Sequence, residues 1–79
     1  MRVKIFVSLK NGVLDPQGKA IERSLNTLGY EEVLDVRVGK YLELNIAAPS
    51  RAAAELRIRE MCDKLLANPV IENYRFEIE

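Results

Sequence analysis

The chain contains no histidine, so the commonest general base near neutral pH and the commonest metal ligand are both missing. Catalysis by this chain alone is not expected, and no catalytic or metal-ligating residue is assigned. Its single cysteine, Cys62, cannot close an internal disulfide and has no companions for a zinc site. A lone thiol fits a reducing compartment, and the expected location is the cytoplasm. Net charge is absent too: 12 basic and 12 acidic residues cancel, removing the electrostatic footprint that nucleic-acid or anionic-membrane binding requires. No apolar run approaches a membrane span, and no charged segment followed by an apolar stretch opens the chain. Neither the Lys-Ser/Thr phosphate-loop pattern nor the three-glycine dinucleotide pattern occurs.

What remains is one domain, residues 1–79, close to the size at which a lone core is marginal. With disulfides and metals excluded, self-association is the remaining way to stabilise so short a chain.

The organising stretch is Asp15 to Tyr30, DPQGKAIERSLNTLGY. Asp15 is a favoured N-cap, Pro16 fits the first helical position, and Gly29 supplies a left-handed stop. Ile21, Leu25 and Leu28 fall on one stripe, expected to face a sheet. Gly18 in the first turn does no capping work and costs about 0.5–1 kcal/mol against alanine, which marks a close approach. A phosphate at this helix start is disfavoured because the Asp15 charge already occupies it.

Before the helix, Arg2 to Leu9 alternates, with Val3, Ile5, Val7 and Leu9 on one face and Phe6 on the other. After it, Val33 to Gly39 and Tyr41 to Ile46 alternate and read as a hairpin. Parity demands a three-residue loop, Gly39 to Tyr41, pairing Val38 with Leu42 and Val36 with Leu44. Arg37, Lys40 and Tyr41 would then crowd the hairpin tip. Ser50 caps a second helix reaching about Ala67, with Ala54, Ile58, Met61, Cys62, Leu65 and Leu66 inward and Asn68-Pro69 as its stop. Cys62 on that inner face reads as a packed thiol. Val70 to Glu79 closes as a strand.

The order strand, helix, strand, strand, helix, strand gives an α+β, ferredoxin-like split βαββαβ fold. It has a four-stranded antiparallel sheet in order 4-1-3-2 and two helices on one face. The other face is open, and Phe6, Tyr41 and Val33 there form an apolar stripe suited to an interface.

At DPQGKAIERSLNTLGY, VRVGKYLEL and CDKLLANPVIENY, in the same order and spacing, the chain resembles the small PurS subunit of phosphoribosylformylglycinamidine synthase. Asp15, Pro16, Gln17, Gly18, Gly29 and Tyr30 match the first block, Arg37, Gly39, Lys40 and Tyr41 the second, and Asn68, Pro69 and Glu72 the third.

The resemblance implies a homodimer or homotetramer working with a synthetase (PurL-type) subunit and a glutaminase (PurQ-type) subunit. ATP and magnesium would sit on the synthetase, with no cofactor on this chain. The implied role is to bridge the two and support ammonia transfer. Gln17, Gly18, Arg37, Gly39, Lys40, Tyr41, Glu72 and Phe6 are the expected contacts to other chains, with Gly18 the place where a partner backbone comes close. The alternative reading is a free-standing ligand-sensing module of ferredoxin-like fold.

Overall fold

The computed structural model describes residues 1–79 and is built on a central strand, β1 (Arg2–Leu9), flanked by β2 (Gly39–Asn45) and β3 (Glu72–Ile78). Both neighbours run antiparallel to it, giving the order β2-β1-β3. Ile5 stands between Leu42 and Phe76, and Val3 between Leu44 and Ile78, so one face of the sheet is apolar across all three strands. The helices are α1 (Pro16–Thr27) and α2 (Arg51–Met61).

Only α2 lies on the apolar face. Ala54, Ile58 and Cys62 meet Val3, Ile5 and Val7, and with Ala67 they complete the core. The helix starts at the expected cap, where the Ser50 hydroxyl accepts from the Ala53 N–H at 3.1 Å. At its end the backbone widens into a π turn, Cys62–Leu66, closed by the Ala67 N–H donating to the Cys62 carbonyl at 3.0 Å. The widened turn rotates the inward face. Leu65, expected inside, points out with 82% of its surface exposed, and Ala67 is buried instead; Met61, also expected inside, ends α2 before the widened turn and is exposed at its margin.

The expected second strand is not formed. Residues 33–38 carry no ladder, the sheet has three strands rather than four, and the element order is βαβαβ. Gly39, Lys40 and Tyr41, expected to turn the hairpin, are instead paired with Ser8, Val7 and Phe6 of β1. Because those three residues continue straight into β2, the chain cannot reverse there. Strands 4-1-3 of the expected order are present and the position of strand 2 is vacant. Gly39 fits the ladder closely: a Cβ there would sit 2.5 Å from the Val7 carbonyl oxygen.

The expectation of two helices on one face also fails. Helix α1 buries only Gly18, while Ile21 and Leu28 of its apolar stripe are exposed. The molecule measures 52 × 25 × 14 Å with a radius of gyration of 16.1 Å, against about 12 Å for a compact chain of this length. Helix α1 and residues 33–38 together form an arm.

Candidate functional site

The arm is assembled around Asp15. Its carboxylate caps α1 by accepting from the Gly18 N–H at 2.8 Å through Oδ1, and through Oδ2 it accepts from the Val38 N–H at 2.7 Å. One side chain thus ties the first turn of the helix to the segment that returns beside it. Asp15 is the only buried charged residue. Farther along, the Asn26 amide bridges the Glu22 and Val33 carbonyls at 2.8 and 3.5 Å. The close approach at Gly18 comes from within the chain, since a Cβ there would collide with the Val36 carbonyl oxygen and lie 2.9 Å from the Asp15 carboxylate. This corrects the expectation of a partner backbone at that position.

The two backbone donors, Val38 first and Gly18 second, hold the Asp15 carboxyl below its ordinary range, with help from the Arg37 charge and against the effect of burial. A carboxyl whose pKa is lower folded than unfolded adds stability above its unfolded value, near pH 4. That contribution disappears as pH falls through the folded value. Acidification below about pH 4 is therefore expected to lower the urea midpoint. Asp15→Asn should be less stable at pH 7 and show a smaller fall over the acid range. Equal acid slopes for the two chains would count against this assignment. The residual slope of the variant would include Glu43, whose pKa is also lowered, by the Tyr41 hydroxyl and by Arg2.

Arg37 and Lys40, expected side by side at a hairpin tip, serve separate joints. The Arg37 guanidinium donates to the carbonyls of Val13, Lys10 and Leu9 at 3.2, 3.2 and 3.5 Å, fastening the arm to the loop after β1. Lys10 in turn donates to the Pro69 carbonyl at 2.8 Å. Lys40 donates to the Leu66 carbonyl at 3.1 Å, a cation at the carbonyl end of a helix. It also lies 3.9 Å from Glu72, whose carboxylate accepts from the Asn68 N–H at 2.7 Å. Gln17, Gly39, Lys40 and Glu72 come together along one open groove of about 420 Å³, floored by Leu14, Val38 and Ile71.

Phe6 and Tyr41 lie elsewhere, on the open face of the sheet, cross-strand neighbours with ring centroids 5.1 Å apart. Val33, expected beside them, belongs to the arm. The stripe is more polar than the sequence suggests. The Arg75 guanidinium sits 3.9 Å over the Phe6 ring, and the Tyr41 hydroxyl donates to Glu43 at 2.7 Å. Arg2 bonds Glu43 at 2.5 Å, and Lys4 pairs with Glu79 at 2.7 Å. Arg75 and Glu43 were not foreseen because their placement follows from the strand register, which alternation alone does not give.

A third surface is apolar and belongs to the arm. Leu28 is 72% and Leu34 84% exposed, and Ile21 is exposed with them. Exposed leucines grouped on one projecting element suit association with another chain. Cys62, by contrast, is fully buried, and desolvation pushes its thiol pKa up, away from the reactive thiolate. None of the surfaces described pairs an accessible nucleophile with a base.

Comparison with known proteins agrees with the sequence resemblance. The family model described as PurS, phosphoribosylformylglycinamidine (FGAM) synthase, matches residues 2–79. The Bacillus subtilis phosphoribosylformylglycinamidine synthase subunit PurS is 54% identical over 78 residues, covering 99% of this chain and 92% of that protein. A solved structure of B. subtilis PurS superposes with a TM-score of 0.90 at 54% identity, covering 99% of this chain and 96% of the other. A chain from the structure of PurLQS from Thermotoga maritima superposes with a TM-score of 0.88 at 33% identity, covering 96% and 93%. No helix here is long and apolar enough to cross a membrane.

Proposed function

The chain belongs to the PurS family, subunits of the purine-biosynthetic ligase phosphoribosylformylglycinamidine synthase (EC 6.3.5.3), and from that premise we propose that it is the noncatalytic bridge of that enzyme. The reaction converts formylglycinamide ribonucleotide, glutamine and ATP to formylglycinamidine ribonucleotide, glutamate, ADP and phosphate. In this reading a PurL-type synthetase subunit binds the ribonucleotide, ATP and magnesium, and a PurQ-type glutaminase subunit releases ammonia. The present chain, in the cytoplasm and as a homodimer or homotetramer, holds the two in register so that ammonia passes between them.

The observation that carries the proposal is the arm. Exposed Ile21 and Leu34 on it, with Leu28 at the end of α1, are apolar side chains that a solitary 9.0 kDa protein has no use for and a subunit does. The relative from the T. maritima PurLQS structure supports the choice of partners. Gln17, Gly39, Lys40 and Glu72, gathered along the groove, and Phe6 and Tyr41 on the open sheet face, offer two further surfaces for the larger subunits.

The test is reconstitution. Synthetase and glutaminase without this chain are expected to lose most glutamine-dependent product formation, while product formation from added ammonium salt is retained. Unchanged glutamine-dependent turnover without the chain would overturn the bridging role. Loss of both activities would overturn the ammonia-transfer role and point to support of the synthetase itself.

A further inference from the structure

We propose that Asn11 is a site of spontaneous covalent modification: its side-chain amide condenses with the backbone nitrogen of Gly12, and the isoaspartate that follows loosens the clasp at the root of the arm. The inference goes beyond the subunit reading and does not depend on it.

Asn11 and Gly12 form the tip of the loop after β1, and both are exposed. The Val13 N–H donates to the Lys10 carbonyl at 3.2 Å, closing a turn with Asn11 and Gly12 at its centre. Gly12 sits at φ +86°, a conformation glycine adopts without strain, and nothing lies within 4 Å of where a Cβ would stand. Its N–H has no backbone acceptor. The nitrogen that must attack is thus unshielded, and exposed loop tips are where a chain has the freedom to bring two such groups together.

The step balances with water as the only co-reactant. The Gly12 nitrogen bonds to Cγ of Asn11, the Cγ–Nδ2 bond breaks, and the Gly12 proton leaves with the amide as ammonia. Water then opens the cyclic imide at either carbonyl. One opening gives aspartate. The other gives isoaspartate, in which the main chain runs through Cγ and is longer by a methylene.

The other amides of the chain lack this arrangement. Asn26, Asn45 and Asn73 precede Thr27, Ile46 and Tyr74, whose side chains crowd the attacking nitrogen, and Asn68 precedes Pro69, which has no N–H to give up. The Ile46 N–H is also committed to the Met1 carbonyl at 2.9 Å. Gln17 has a glycine after it, but the Gly18 N–H is buried and held by the Asp15 carboxylate at 2.8 Å, and glutamine must close a larger ring.

The position of Asn11 gives the change a consequence. The Arg37 guanidinium donates to the carbonyls of Lys10 and Val13, both at 3.2 Å, and these flank the modified bond. A methylene added between them spreads the two acceptors, so that one guanidinium no longer serves both. Aspartate, with the charge but not the methylene, leaves their spacing as it was.

Aged at mildly alkaline pH, the purified chain is expected to show the mass change of an amide becoming an acid in the peptide that contains Asn11. It should release ammonia and accept enzymatic carboxyl methylation at isoaspartate. Asn11→Gln should abolish all three over the same period, and because the position is exposed, a melting temperature like the parent's confirms that the variant is folded. No mass change at Asn11, or an equal one in Asn11→Gln, would overturn the site. Amide exchange at Val38 then separates the chemistry from its consequence. The isoaspartyl fraction, isolated by chromatography, should exchange there faster than the Asn11→Asp variant. Equal rates would overturn the loosening of the arm and leave the modification site standing.

Discussion

Gly18→Ala is expected to destabilise the chain by about 1–3 kcal/mol, the usual cost of forcing an atom into a filled space. The sign is informative, because alanine in a helix is ordinarily better than glycine by about 1 kcal/mol. Here the added methyl meets the Val36 carbonyl and the Asp15 carboxylate. The flexible side chain can yield, but the carbonyl belongs to backbone, so residues 36–38 must move away from the helix. That displacement takes the Val38 N–H from Asp15, and the arm loosens at its root. Urea unfolding gives the cost, and faster amide exchange at Val38 shows where it falls. An alanine variant as stable as the parent, with Val38 still protected, would show that the contact is soft.

Ile58→Ala should cost more, about 2–5 kcal/mol, through lost burial and the cavity left behind. Ile58 is fully buried and is the largest side chain that α2 sends into the core. A domain of this length has a total stability of about 4–12 kcal/mol, so the change removes a large share of it. The midpoint of thermal unfolding should fall by roughly 10–30 °C. Far-UV circular dichroism during heating checks this, and a fall of only a few degrees would mean that the sheet holds without α2 sealing it. Leu65→Ala, about two turns farther on and exposed within the π turn, makes the internal control and is expected to change little.

The contrast between Ile58 and Leu65 marks where the sequence was legible. Ser50, Ala54, Ile58 and Cys62 follow ordinary helical spacing, and the structure has them as capping or buried residues. Past Cys62 the widened turn breaks the spacing, and counting in steps of 3.6 places Leu65 on the wrong side, while Met61, the last residue of α2, sits at the margin of the inward stripe. Strand β1 has the expected bounds, and the Asp15, Pro16 and Gly29 signals delimit α1, with Gly29 at φ +103°. The alternation of Leu34, Val36 and Val38 signals a strand, but it carries no information on whether the partner edge lies in the same chain. That ambiguity produced the hairpin and the crowded tip at Arg37, Lys40 and Tyr41. Of the expected contact residues, the shared open face of Phe6 and Tyr41 is readable from parity, though their pairing is not, and the gathering of Gln17, Gly39, Lys40 and Glu72 depends on how the arm is fastened. The Gly18 signal was read correctly as crowding and assigned to the wrong neighbour.

The placement of β1 at the centre of the sheet also has a kinetic meaning. Val3 pairs with Leu44 on one side and with Ile78 on the other, so the first strand to leave the ribosome waits for the last before both its edges are covered. Contacts so distant along the chain close slowly, since loop entropy must be overcome before the ladder forms. Helix α1, capped by neighbours only a few residues away, can form long before that. During synthesis the arm would thus be ready while the sheet still has an open, apolar strand. A nascent chain therefore passes through a stage in which Val3, Ile5 and Val7 lie uncovered, and the interval before β3 is made is when it is open to wrong contacts.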